Sequence, residues 1–253
     1  MTNRFAGFDA HVEQNQARFL DELREYCRTP CITGQGVGVR ESAALTAEVL
    51  RSHGITAQVL ETAGAPVVYG EIGSGARTLL IYDHYDVQPP EPLELWESEP
   101  FAADIRDGKV YARGVADNRG DVMARVQAIE TYRAVVGELP IKVKFLIEGE
   151  EEIGSPSLPA FVESHRELLQ ADGCLWEAGS RDEEDRVLIA LGLKGVLHLE
   201  LRVKGANVDL HSSLATIVPN AAWKLTWALA SLKTPDDRIA VDGLMAHVIE
   251  PTA

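Results

Sequence analysis

Hydrophobic and polar positions in this chain of 253 residues follow two rhythms in turn. Val12, Phe19, Leu23 and Tyr26 share one face of a helix predicted over residues 8–27, which Thr29-Pro30 ends. A second helix is predicted over residues 42–53, closing at Gly54. Short apolar runs then interrupt the helical period: 57–60, 67–71, 78–82, 141–147, 174–176 and 187–193. Runs this short and this continuous mark strands buried on both faces, as in a sheet covered by helices. Asp107-Gly108 predicts a hairpin between residues 102–106 and 109–112. Further helices are predicted over 119–136, with Val122, Val126, Ile129 and Tyr132 as its stripe, and over 157–169.

The pattern changes at Gly195. Leu197, Leu199, Leu201 and Val203 alternate with His198, Glu200, Arg202 and Lys204, which predicts a strand with one wet face. A helix bearing Trp223 and Trp227 follows Pro219-Asn220. The expected fold class is α/β, with a mixed, mostly parallel sheet flanked by helices over residues 1–194. An incomplete α+β lid follows over residues 195–253.

Composition narrows the function classes. A net charge of −15 argues against nucleic acid and anionic membrane surfaces as partners. Cys27, Cys31 and Cys174 make no even disulfide framework and lack a CxxC spacing, so a reduced, cytoplasmic protein is expected. Gly34, Gly36 and Gly38 form a loop that no strand precedes, which rules out a dinucleotide fingerprint.

Candidate chemistry collects where the apolar runs stop. Phe145-Leu146-Ile147 runs into Glu148, Glu150, Glu151 and Glu152 before Gly154 turns the chain. Residues 78–82 run into Asp83, His84 and Asp86, and residues 174–176 into Glu177. Asp117 stands in a glycine-flanked turn ahead of a helix. Imidazole and carboxylates at the carboxyl ends of strands suit a divalent ion. Taken singly, each has a plainer explanation: a solvated acidic loop, a surface pair, or for Asp117 a helix N-cap. An unrelated acidic module for calcium is a further alternative; it needs only oxygen ligands and no role for His84.

Residues 82–89 (YDHYDVQP), 112–120 (ARGVADNRG), 148–155 (EGEEEIGS) and 209–212 (DLHS) together resemble the M20 family of co-catalytic zinc aminoacyl hydrolases, most closely its dipeptidase branch. That family includes carnosinase-type dipeptidases, acetylornithine deacetylases and succinyl-diaminopimelate desuccinylases. The resemblance implies a zinc-exopeptidase-like fold and two zinc ions per subunit, with manganese or cobalt as substitutes. It implies that Asp117 bridges the metals, His84 and Glu177 complete one site, and Glu152 serves the other. Glu151 is then the general base towards a metal-bridging water, and Asp86 orients the His84 ring. The substrates implied are dipeptides or small N-acyl amino acids, cleaved at the amide bond. His211 is implied as a substrate-binding residue from the second domain, and a homodimer through the lid is implied as well.

Two features depart from the family pattern. Asp83 precedes His84 where relatives usually have a small residue or asparagine, and Arg119 replaces a lysine. Relatives also resume the catalytic domain after the lid, with a last histidine ligand, and the surroundings of His247 do not match that segment. The chain therefore reads as a C-terminally truncated homologue. Its second metal has only Asp117 and Glu152, so the alternative expectation is a non-catalytic or weakly active protein binding at most one metal.

Overall fold

The computed structural model describes residues 7–177, 179–192 and 195–249. It divides into two compact units, Met1–Ile189 and Ala190–Ala253. The first begins with helices α1 (Phe8–Cys27) and α2 (Val39–Ser52) and strands β1 (Thr56–Leu60), β2 (Val67–Ile72) and β3 (Thr78–His84). The hairpin strands β4 (Asp104–Arg106) and β5 (Lys109–Tyr111) follow, then α3 (Arg119–Val135) and β6 (Lys142–Glu148). The short helices α4 (Leu158–Ser164) and α5 (Arg166–Leu169) lead to β7 (Gly173–Leu175), and β8 (Ser180–Arg181) pairs with β9 (Val187–Leu188).

Five strands form the main sheet in the order β1-β2-β6-β3-β7. β3 is parallel to β6 and to β7, and β2 is antiparallel to both β1 and β6. Only β2 therefore runs against the rest, and the sheet is mixed but mostly parallel. Parallel neighbours need crossovers; α3 supplies the one between β3 and β6, and α4 with α5 the one between β6 and β7.

Helices cover both faces of this sheet, which is why its central strands β3 and β6 are apolar on both sides over residues 79–82 and 145–147. Val143, Phe145 and Ile147 of β6 enter one core with Tyr26, Leu50, Val122 and Val126 of α1–α3. Leu146 enters the other with Tyr82 of β3 and with Phe161 and Leu169 of α4 and α5. Strand alternation sorts the two sets. Lys144, on the second face, stays buried because its ammonium donates to Leu168 O at 2.6 Å and Gln170 O at 2.8 Å. A cation there meets the free carbonyls at the end of α5. Phe145 is fully buried, and Phe145→Ala is expected to lower the stability of this unit by about 3–5 kcal/mol in a urea titration.

The helix predicted over 157–169 is instead broken at His165. Its ring stacks on Phe161 at 4.2 Å, and its Nδ1 lies 3.0 Å from Phe161 O, the carbonyl to which its own amide donates. A side chain engaging a backbone acceptor interrupts the helical ladder. Of the apolar run 187–193, Val187–Leu188 forms β9, while Leu193 lies outside the described residues.

In the second unit, Asn220 caps α6 (Ala221–Ala230) by accepting the Ala222 amide at 2.8 Å. The strand predicted over 197–203 does not form: residues 195–204 carry no regular structure, and Leu197 and Leu199 are exposed. Alternation assigns faces but supplies no neighbour. Among the described residues no strand satisfies the amides and carbonyls of this segment, and an unpaired strand has nothing to hold it.

Candidate metal centre

Because β3, β6 and β7 are parallel, their carboxyl ends reach one rim. β3 ends on His84, which lies opposite Glu148, the last residue of β6. The strand predicted to stop at residue 82 thus continues to His84, and the imidazole hangs from the sheet itself. Glu177 follows two residues after the end of β7. Asp117 lies one residue before Asn118, the N-cap of α3, whose side chain makes no capping hydrogen bond to the helix amides. Asp117 is therefore not a helix cap, and its carboxylate is free for other work; the peptide joining it to Asn118 is cis.

Six of the sequence-predicted site residues converge. One ligand atom each from His84, Asp117 and Glu152 lies within 4.8 Å of the others. His84 Nε2 stands 3.0 Å from Asp117 Oδ1, 3.6 Å from Glu177 Oε2 and 3.9 Å from Glu151 Oε2. On the far side of the ring, Nδ1 lies 3.0 Å from the Asp86 carbonyl and 3.3 Å from its carboxylate. In the neutral ring that contact favours the tautomer with the proton on Nδ1, so Nε2 is the atom that would turn a lone pair to an ion once its own proton is displaced. His84 and Asp86 are fully buried, whereas the Asp117 side chain is 73% exposed, so the centre opens on the Asp117 side.

The electrostatics fit a cation. Burial opposes charge on His84, but the Asp86 contact and the charges of Asp86, Glu177 and Glu151 outweigh it and hold the imidazole up at about 10. Burial pushes the Glu177 carboxyl up to about 7, with His84 opposing and Glu151 and Asp117 adding to the rise. Burial also raises Glu152, against the hydrogen bond from Gln88. Glu177 Oε2 and Asp86 Oδ1 are buried with no hydrogen-bond partner. Leaving such oxygens unmatched is costly. A divalent ion coordinated by imidazole and carboxylates matches this donor set, and zinc, manganese and cobalt all accept it.

The four acids at and just after the end of β6 separate into two pairs. Glu148 accepts the Tyr82 hydroxyl at 2.6 Å and the Ser155 hydroxyl at 2.8 Å. Glu150 accepts the amides of Ala65 and Ser157, both at 3.1 Å. Only Glu151 and Glu152 turn to the centre. Asp83, one residue before His84 on the strand, takes the opposite face and pairs with Arg125 of α3. Arg119 faces away from the centre as well; fully buried, it donates to Tyr85 O at 3.1 Å, Tyr26 O at 2.7 Å and Ser42 Oγ at 3.2 Å.

Sequence reasoning missed two supporting residues. Gln88 grips Glu152 by its backbone amide at 3.2 Å and its side-chain amide at 2.8 Å. Asn118 Oδ1 faces the His84 amide at 3.4 Å. Neither carries charge, and neither stands at a strand end, so nothing in the pattern singled them out. His211 belongs to the second unit, where it is exposed and its Nδ1 accepts the Ser213 amide at 3.2 Å. No helix among the described residues is long and apolar enough to cross a membrane.

The profile of peptidase family M20/M25/M40 matches residues 80–248. A human Beta-Ala-His dipeptidase is 27% identical over 274 residues, covering 96% of this chain and 52% of its own length. A Cys-Gly metallodipeptidase of Schizosaccharomyces pombe is 30% identical over 194 residues, covering 74% of this chain and 40% of its own length. Among solved structures, an M20 family metallo-carboxypeptidase from Sulfolobus solfataricus superposes with a TM-score of 0.80 at 37% identity, over 92% of this chain and 54% of that one. The chain spans about half the length of the curated relatives first matched, 52% and 54% of the two dipeptidases from human and rat.

Proposed function

Since this chain belongs to peptidase family M20/M25/M40, we propose that its rim of strand ends holds divalent metal for hydrolysis of the amide bond of dipeptides or small N-acyl amino acids. The observation that carries this reading is the convergence of one ligand atom each from His84, Asp117 and Glu152 within 4.8 Å, with Glu177 Oε2, which has no hydrogen-bond partner, 3.6 Å from His84 Nε2. His84, Asp117, Glu152 and Glu177 are the holding residues, and Asp117, nearest the open side, is the one suited to bridging. Divalent metal supplies Lewis acidity towards water and the amide carbonyl when bound. Asp86 fixes the His84 ring from behind. Glu151 remains for proton transfer: it is part-exposed, and among the described residues no hydrogen bond ties its carboxylate. As general base it removes a proton from water, and as general acid it returns one to the departing amine. The second unit, residues 195–253 in the sequence reading, is the lid in this proposal, with His211 its substrate-facing residue and its apolar α6 a surface for homodimer formation.

One observation favours a lesser activity. Among the described residues His84 is the one imidazole in the cluster, so a second ion has only Asp117 and Glu152. A single-ion protein with little or no turnover is the alternative.

Metal analysis of the purified chain, run with a panel of dipeptides and of acetylated and succinylated amino acids, separates the two. Two zinc, manganese or cobalt ions per chain and hydrolysis lost on chelation are expected. One ion per chain without turnover selects the alternative. A chain that retains no divalent metal overturns both.

A further inference from the structure

Of the holding residues His84 alone stands in a strand of the sheet, and Glu177 follows a strand but lies past its last pair. β7 pairs with β3 only through Gly173, Cys174 and Leu175, so Trp176 and Glu177 lie beyond the ladder. What holds them comes from α3. Arg125 Nη2 donates to Trp176 O at 2.8 Å, and Nη1 donates to Tyr82 O at 3.1 Å and to the Asp83 carboxylate. The Trp176 ring also stacks on Tyr82 at 4.1 Å. One guanidinium therefore binds the residue preceding Glu177 and the residue preceding His84. It reaches both from the helix whose amino end follows Asp117.

The arrangement depends on Asp83. Its side chain is fully buried and that of Arg125 is 12% exposed. A guanidinium so enclosed needs a countercharge to stay in place, and its planar fork can serve a carboxylate and two carbonyls together, as an ammonium cannot. The residue that departs from the family pattern is thus the anchor of the cation that orders Glu177.

We propose that Arg125, anchored by Asp83, is a positioning residue that sets the Glu177 carboxylate for the metal. This rests on the metal-binding reading above. Replacement by lysine preserves the charge opposite Asp83 but gives up the bond to Trp176 O.

The test is titration of the full chain with Zn2+ against a competing chelator, for the native sequence, Arg125→Lys, Glu177→Gln and the double variant. Arg125→Lys is expected to weaken Zn2+ binding about 10–100-fold, the usual cost of losing a residue that orients a ligand. The double variant is expected to bind no more weakly than Glu177→Gln alone, because residues acting through one another do not add. Arg125→Lys combined with Glu152→Gln is expected to show the product of the two losses. Asp83→Asn, which removes the countercharge that anchors Arg125, is expected to weaken Zn2+ binding as well, and native affinity in it would overturn the anchoring by Asp83. Hydrogen exchange over residues 173–177 of the zinc-free protein reads the same contact without metal and should quicken in Arg125→Lys. Native affinity in Arg125→Lys, or losses that multiply with Glu177→Gln, would overturn the proposal. A native chain that binds no Zn2+ removes the metal reading, and unchanged exchange over 173–177 removes the positioning contact separately.

Discussion

Glu151→Gln is expected to leave the metal content of the chain unchanged and to lower amide hydrolysis by about 10²–10⁴-fold, the usual contribution of a positioned general base. The substitution keeps shape and removes only basicity. Glu151 Oε2 is 3.9 Å from His84 Nε2, near enough to act on water held beside that ring. Its two acidic neighbours behave differently. Glu150 is committed to the amides of Ala65 and Ser157, so Glu150→Gln is expected to disturb the turn rather than the chemistry. Glu152 has both oxygens held by Gln88, so Glu152→Gln is expected to act on metal binding. The comparison needs metal per chain and turnover on the same preparations. If Glu151→Gln turned over at the native rate, the base would have to be sought elsewhere on the rim.

His84→Ala is expected to abolish the gain in melting temperature that Zn2+ gives the native chain. A ligand that binds only the folded state stabilises it by about 2.7 kcal/mol at a hundredfold excess over its dissociation constant. His84 is the one nitrogen donor in the cluster among the described residues, and it is buried with Nε2 facing Asp117, Glu151 and Glu177. Its loss should weaken binding by more than the roughly 10–100-fold that removing an orienting neighbour costs. Asp86→Asn gives the contrast. It retains a side chain behind the ring but removes the negative charge, so a smaller loss of Zn2+ affinity is expected. A zinc-dependent shift that survived in His84→Ala would place the ion among oxygens alone, as in a calcium-type site.

Most of the sheet was legible because burial on two faces writes itself into the residues. Phe145, Leu146 and Ile147 are apolar in succession since successive side chains enter different hydrophobic cores. The ends were less legible. Asp83 and His84 read as the point where the strand stops, yet both belong to β3 and are buried, one paired with Arg125 and the other within the candidate metal cluster. A charged pair in a strand breaks the apolar run without breaking the strand. Leu197–Val203 shows the converse: the period is present and the strand is not, because pairing is a property of two segments.

By itself the sequence located most helices and buried strands of the first unit, and it pointed to the rim where His84, Asp117, Glu151, Glu152 and Glu177 gather. Hydrophobic period and residue chemistry are local, and each can be read along one chain. Tertiary structure decided which of the four acids around the end of β6 turn to the rim, where Asp83 and Arg119 point, and that Arg125 reaches from α3 to the residues before His84 and Glu177. Those outcomes turn on hydrogen-bond partners dozens of residues away, and only the packed sheet brings such partners within reach.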